Sequence, residues 1–475
     1  MMVNSRTWQA AASDLATGRS IFVALWAEAQ DDGCIIHLAG RPQGSGEVRL
    51  LSLAAPDRLF PSIAQHHPAA SLMERALCDV HGLTAEASPD PRPWLDHSTP
   101  YLFKPVTGDG VHQIPVGPVH AGIIEPGHFR FSVNGETIIR LEVRLGYTHK
   151  ATLGLMRGHM IDHAAQLAGR ISGDSTVAYA FAFARAVEQA LGIKAPPRAT
   201  ALRGIMAELE RLANHFGDIG AICNDGGFPL MNVLTAALRE RVLRLAATCF
   251  GHRLMMDRII PGGVTTDLTA AHAKLVLTTL TDLRGQWARL FELYEKTASL
   301  QDRVVTSGWL DPMIAQRLGC GGYVGRASGQ DFDARRDACY PPYDTLAITV
   351  PHLTAGDVDA RLRIRMAELE QSVTVIRTLL ATMPPGALCT PLPDPANLTT
   401  IERNDARVGH ALIEGFRGDI FAHVRVHRGR IEDVMLRDPS WFFWPALEAA
   451  IEGNIVADFP LCNKSFNPSY SGCDL

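Results

Sequence analysis

The sequence predicts an α+β fold that is mainly helical: a long helical bundle flanked by antiparallel hairpins, with a small N-terminal α+β module. Three patterns carry that prediction. Apolar residues recur three and four apart from His149 to about Arg258, two stretches alternate apolar and polar residues about Gly-containing turns, and a proline cluster, ASPDPRPWLDHSTP, separates a short mixed segment from the remainder. A chain of 475 residues can bury a large core and divide in two. Residues 1–100 are assigned to the module and 101–475 to the main body.

In chain order, the runs IFVALWAEA, CIIHLAG and EVRLLSLAA read as short apolar segments, followed by a helix over PAASLMERALCDVHGL. After the prolines, HFRFSVNGETIIRLEVRLGY alternates on either side of Asn134-Gly135, a dipeptide suited to a tight hairpin turn. Helical spacing then runs through GLMRGHMIDHAAQLAG, TVAYAFAFARAVEQALG, IMAELERLANHFGDIGAI and NVLTAALRERVLRLAATCFGHRLMMD. Two more helices, AAHAKLVLTTLTDLRGQWARLFELYEKTA and DVDARLRIRMAELEQSVTVIRTLLATM, enclose a glycine-rich loop, and packing of so many helices implies a bundle. GDIFAHVRVHRGRIEDVMLRD alternates about Arg428-Gly429 and predicts a second hairpin.

Composition excludes several function classes. Apolar residues make up 47% and charged residues 20%, an ordinary globular balance without long low-complexity tracts. The net charge of −5 offers no basic face for phosphate, so no nucleic-acid partner is expected. No run of 18 apolar residues and no secretory pattern is visible, so a cytoplasmic chain, peripheral on the membrane through partners, is the expectation. The nine cysteines are scattered and never spaced C-x-x-C, which suits a reducing compartment and places any iron–sulfur cluster on a neighbour.

Local motifs are ambiguous one at a time. GCGGYVGRASGQ lacks the G-K-[ST] ending of a phosphate loop, so a nucleotide site there is disfavoured. His66, His67, His120, His128, His159 and His163 are possible ligands; His159 and His163 share a helical face without the H-E-x-x-H glutamate, and read as a solvated or packed pair. Arg361, Arg363 and Arg365, among acidic neighbours, read as a salt-bridged surface. His149 stands where a strand gives way to a helix, in LGYTHKATLGL, a junction able to project a side chain into a cavity; local sequence alone favours a capping or packed histidine. Asp225 follows a long helix in ICNDGGF, where a cap or turn former is equally expected.

Together these stretches resemble the large subunit of membrane-bound [NiFe] hydrogenases of the formate hydrogenlyase type, and the related quinone-site subunit of respiratory complex I. The segments that carry the resemblance are LGYTHKATLGL, RISGDSTVAYAFAFARAVEQAL, MAELERLANHFGDIGAICND, ALRERVLRLAATCFGHRLMMDRIIPGGV, GRASGQDFDARRDACYPPYD, GDVDARLRIRMAEL and the tail from LRDPSWFFWPAL. FPSIAQHHPAASLMERALCDVHGLTAEASPDPRPWL resembles the end of the small complex I subunit that docks on the large one.

The resemblance implies paired cysteines where this chain has Ser172 and Ser175, and again where it has Ser469 and Gly472. Soft thiolates hold nickel and iron, whereas a serine hydroxyl stays protonated and glycine has no side chain. Cys473 lies one position beyond the family's cysteine, and Leu153 replaces the proton-handling glutamate of the nickel enzymes. No metal site is expected.

From complex I the resemblance implies that His149 hydrogen-bonds a quinone and that Asp225 holds His149. A carboxylate beside an imidazole favours the protonated ring, which donates to an oxygen gaining charge. The family's second quinone ligand, a tyrosine, aligns with Gly173, so Tyr147 and Tyr179 become candidates for the same space, with Ser172, Ser175, Ser469 and Gly472 lining an emptied cavity. The implied partners are an iron–sulfur small subunit, integral-membrane antiporter-like and anchor subunits, and a dehydrogenase module. This chain itself binds no cofactor in that reading, a quinone being the acceptor. A non-catalytic coupling adaptor is the alternative, and an active hydrogenase the weakest one.

Overall fold

The N-terminal strands assemble before the prolines are reached. In the structure, a computed structural model describing residues 1–120, 124–394 and 405–474, β1 (Met2–Val3) and α1 (Ser5–Ala16) precede β2 (Ser20–Gln30), β3 (Gly33–Pro42) and β4 (Arg49–Ala55). The sheet order is β1-β4-β3-β2, antiparallel except for β1 beside β4. Asn4 starts α1 by accepting the Thr7 N–H at 2.9 Å. A short parallel pair, β5 (Leu59–Pro61) and β6 (Thr84–Glu86), brackets α2 (Ser71–His81), the helix expected there.

β7 (Val111–Val116), β8 (His128–Asn134) and β9 (Thr137–Arg144) form an antiparallel sheet, with the predicted hairpin between β8 and β9. Of its turn dipeptide only Gly135, at φ 60°, takes a positive φ. The next helical stretch is two helices, α3 (Thr152–Met156) and α4 (Ile161–Ala168), because Gly158 at φ 78° breaks the run. α5 (Thr176–Leu191), α6 (Pro197–Asp225) and α7 (Pro229–Phe250) follow. After a ribbon of β10 (Ile259–Ile260) and β11 (Gly263–Val264) come α8 (Ala270–Lys296), α9 (Ala298–Val304) and α10 (Pro312–Arg317).

The glycine-rich loop proves largely helical: α11 (Gly322–Ala327) and α12 (Ala334–Asp337) occupy it. Every residue of α11 is buried, and a β-carbon on Gly322 would lie 1.8 Å from the Arg417 carbonyl oxygen. These glycines permit backbone packing and leave no cradle for a phosphate. α13 (Val358–Thr382) precedes a three-stranded antiparallel sheet, β12 (Arg407–Glu414), β13 (Asp419–His427) and β14 (Arg430–Arg437). Arg428 and Gly429, at φ 51° and 74°, close the predicted β13–β14 hairpin with the mirror-image turn that matches strand twist. α5 lies on this sheet, so close that a β-carbon on Gly409 would meet the Ala186 carbonyl oxygen at 2.0 Å. α14 (Ser440–Ala450) and α15 (Phe459–Phe466) lead to the tail.

The arginine surface expected on α13 is corrected by the structure. Arg361 and Arg365 are fully buried; only Arg363 is outside, paired with Asp359 and Glu295. Arg365 Nε reaches Asp218 at 3.1 Å, and Arg361 donates to Ser465 Oγ and to the Gly308 and Gly356 carbonyls. Nearby, Glu368 takes Arg326, Arg211 and His215, while Arg335 joins Asp333 to Glu208. Buried charge is tolerable only when each group is paired and hydrogen-bonded, and this network binds α6, α11, α12 and α13 to one another.

Candidate functional site

His149 belongs to the segment joining β9 to α3. Ala151, at φ 52°, turns the chain into α3 through a left-handed conformation that costs a non-glycine residue about 1 kcal/mol. The segment is fastened by Asp474, a wholly buried side chain of the tail. Its carboxylate accepts the Gly146 N–H at 2.9 Å, the Thr148 N–H at 3.0 Å and the Thr148 hydroxyl at 2.7 Å. Burial raises the Asp474 pKa, opposed by these donors. His149 Nδ1 lies 3.2 Å from the Asp474 carbonyl oxygen. A carbonyl only accepts, so Nδ1 carries the hydrogen, and Nε2 is a lone pair in the neutral ring and a donor in the protonated ring.

His149 lines an apolar cavity of ≈ 150 Å³ between the N-terminal sheet and the main body. Trp26, Met73 and Leu77 form one wall, and Leu153, Met435, Trp441 and Cys473 contribute to the rest. His81 and Arg157 add polar edges. Asp225 does not hold His149: it ends α6, accepts from Asn224 at 3.3 Å, and shares no hydrogen bond with His149 among the described residues. The predicted pair is thus replaced by His149 with Asp474, because the tail, more than 300 residues away in sequence, packs against the β9–α3 segment.

The remaining expected lining residues lie elsewhere. Tyr147 is exposed and packs on His97 with ring centroids 4.4 Å apart. Tyr179 is buried and donates its hydroxyl to Asp438 Oδ2 at 2.7 Å. Burial, and then the Asp438 charge, push its pKa well above the usual phenol value. Ser172 and Ser175 both donate to Asp174, which Arg417 grips at 2.6 Å. Burial raises the Asp174 pKa, but Arg417 and the serine donors outweigh it and hold the carboxyl below its ordinary range. Gly173 borders a separate, smaller cleft against Leu209, Ala213 and Leu254.

Ser469 Oγ accepts the Gly472 N–H at 2.9 Å, and its own N–H donates to Ser440 Oγ at 2.8 Å. A β-carbon on Gly472 would fall 2.8 Å from Asp438 Cγ. The buried Cys473 thiol is pushed well up, by burial first and then by Asp438 and Asp474. These residues do not fit a thiolate-held nickel–iron pair: two hydroxyls are committed to Asp174, and the Asp438 carboxylate crowds the space where a side chain at 472 would begin. Among the described residues, the metal-ligand types that gather in a group of three within 4.8 Å are Glu28, His37 and Asp433, without a thiol.

Residues 225–475 match the family model described as respiratory-chain NADH dehydrogenase, 49 Kd subunit. The chain belongs to this family. It is 30% identical over 444 residues to formate hydrogenlyase subunit 5 of Escherichia coli K12, covering 87% of this chain and 77% of that protein. It is 26% identical over 382 residues to an NADH-quinone oxidoreductase subunit of Chloroherpeton thalassium, covering 76% and 86%. A solved membrane-bound sulfane sulfur reductase, an archaeal respiratory membrane complex, has a chain with the same fold at a TM-score of 0.71 and 24% identity, covering 77% of this chain and 99% of that one.

Membership makes this chain a large subunit of the complex I-related hydrogenase and quinone oxidoreductase class, a component of an oxidoreductase complex. Among the described residues no helix is long and apolar enough to cross a membrane. The residues that sequence reasoning missed are Asp474, Asp438 and Arg417. Each acts on a partner more than 200 positions away, and no local spacing announces such contacts.

Proposed function

We propose that the chain accepts electrons from a partner iron–sulfur subunit and delivers them to a quinone or similar acceptor, without nickel, in an assembly that couples the transfer to proton translocation. One observation carries this reading: His149, with Nδ1 committed and Nε2 left over, lines an apolar cavity whose walls suit a planar organic ring. Quinone reduction places negative charge on an oxygen, and a protonated His149 donates to it. Asp474 is the positioning residue, fixing tautomer and ring direction. The partners in this proposal are the iron–sulfur small subunit, antiporter-like and anchor subunits in the membrane, and a dehydrogenase module, with the chain peripheral on the cytoplasmic face.

The coupling-adaptor reading draws support from the polar packing of Asp174, Arg417, Tyr179 and Asp438, which fills the region of the serine and glycine positions. His149→Ala in the assembled complex separates the two. Loss of quinone reduction with the complex intact supports the acceptor site, and undiminished turnover leaves the adaptor.

A further inference from the structure

The cavity that holds His149 has a second polar group whose hydrogen-bonding capacity is mostly unused. Arg157, partly buried on its wall, follows the short helix α3. Its Nη2 donates to Asp433 Oδ1 at 3.1 Å, and Asp433 is itself held by the Trp26 indole N–H at 3.1 Å on Oδ2. Asp433 is fully buried, so this end of the guanidinium is anchored. The other end is not: Nη1 has no protein acceptor among the described residues, while Nε lies too deep for a ligand to touch.

We infer that Arg157 is the second ligand of the acceptor, its Nη1 N–H groups binding an oxygen across the ring from the one that His149 serves. The inference rests on the acceptor reading above and names its class more narrowly: a planar ring with two separated carbonyl oxygens. The observed juxtaposition is an apolar slot bearing the His149 imidazole and an anchored guanidinium, with the His81 imidazole at its edge. A guanidinium stays charged at all working pH values and offers a planar fork of donors, so it favours an oxygen that becomes anionic on reduction. Gly173, which lacks a side chain, borders a different cleft, and Tyr179 commits its hydroxyl to Asp438. Arg157 is therefore the donor available where the tyrosines are not.

The test uses the full chain and two probes, a water-soluble para-naphthoquinone and its one-carbonyl analogue, a tetralone, each titrated by quenching of tryptophan fluorescence or by competition. Trp26 and Trp441 line the cavity and report directly. The wild-type chain should prefer the dione by about tenfold, the contribution of a hydrogen bond to a charged group. Arg157→Lys keeps a cation beside Asp433 and removes the forked donors; it should abolish that preference, as should Arg157→Gln, with thermal melts confirming that both fold. His149→Ala should weaken both probes. Retention of the dione preference in the Arg157 variants overturns the inference alone. Failure of the wild-type chain to bind the quinone at all overturns the acceptor reading and this inference with it.

Discussion

Placing a methyl group at position 472 tests the closure of the region where the resemblance to the nickel enzymes implies a cysteine. In Gly472→Ala the new β-carbon would lie 2.8 Å from Asp438 Cγ and 3.0 Å from both Asp438 Cβ and Oδ2, well inside the ~3.5 Å at which carbon atoms attract. Asp438 cannot swing aside cheaply, because its carboxylate accepts the Tyr179 hydroxyl at 2.7 Å and the Ser440 N–H at 2.8 Å. Overpacking costs about 1–3 kcal/mol. Losing one charge-assisted hydrogen bond adds about 1.5–3 kcal/mol. The expected destabilisation is therefore about 2.5–6 kcal/mol. The assay is urea unfolding of the wild-type chain, Gly472→Ala, Asp438→Ala and the double variant. If Asp438 is the obstacle, the double variant is more stable than the sum of the singles predicts. A Gly472→Ala cost below about 1 kcal/mol, or strict additivity, refutes the argument.

Three further outcomes are expected. Glu368→Gln leaves Arg326 and Arg211 short of a buried counter-charge and should cost about 3–5 kcal/mol by urea midpoint, whereas the exposed pair Arg244–Glu240 should be nearly silent when cut. Tyr179→Phe deprives Asp438 of a donor and should cost about 1.5–3 kcal/mol, measured in the same way. Burial lifts the Glu210 pKa to about 8, against the Val177 and Ala178 N–H groups that favour its charge. The folded-state pKa lies above the ordinary 4.5, so its contribution is complete below about pH 4.5 and is lost as pH rises through 8, at about 1.4 kcal/mol per pH unit. The stability difference between Glu210→Gln and wild type should grow in favour of Gln across that window; a flat difference contradicts the assignment.

What the sequence makes legible follows from the range of the forces involved. Strand alternation and turn chemistry are local, so both hairpins, about Asn134-Gly135 and Arg428-Gly429, can be read from neighbours alone. β12 is invisible as a third strand because Ala411, Leu412, Ile413 and Glu414 are all buried, which breaks the alternation that marks a strand. On α13 the sequence shows Arg361 and Arg365 only their helical neighbours; their true partners, Asp218 and the Ser465 region, come from other elements. Charge count alone therefore suggests a surface where the fold has a core. His149 is singled out by the family resemblance and not by its strand-to-helix junction alone, and its holder is a tail aspartate that only tertiary packing reveals. Asp225 ends its helix, as a cap or turn residue would, and has no bond to the imidazole.

Trp26, Met73 and Leu77, which wall the His149 cavity, precede the proline cluster and are covalently tied to the opposite wall. Dilution cannot separate two halves of a pocket that share one polypeptide, since the effective concentration of one for the other is set by the tether. Mutational drift in this wall is then answerable to residues inherited in the same gene, and any change in the shape of the pocket can arise from either half without renegotiating an intersubunit contact.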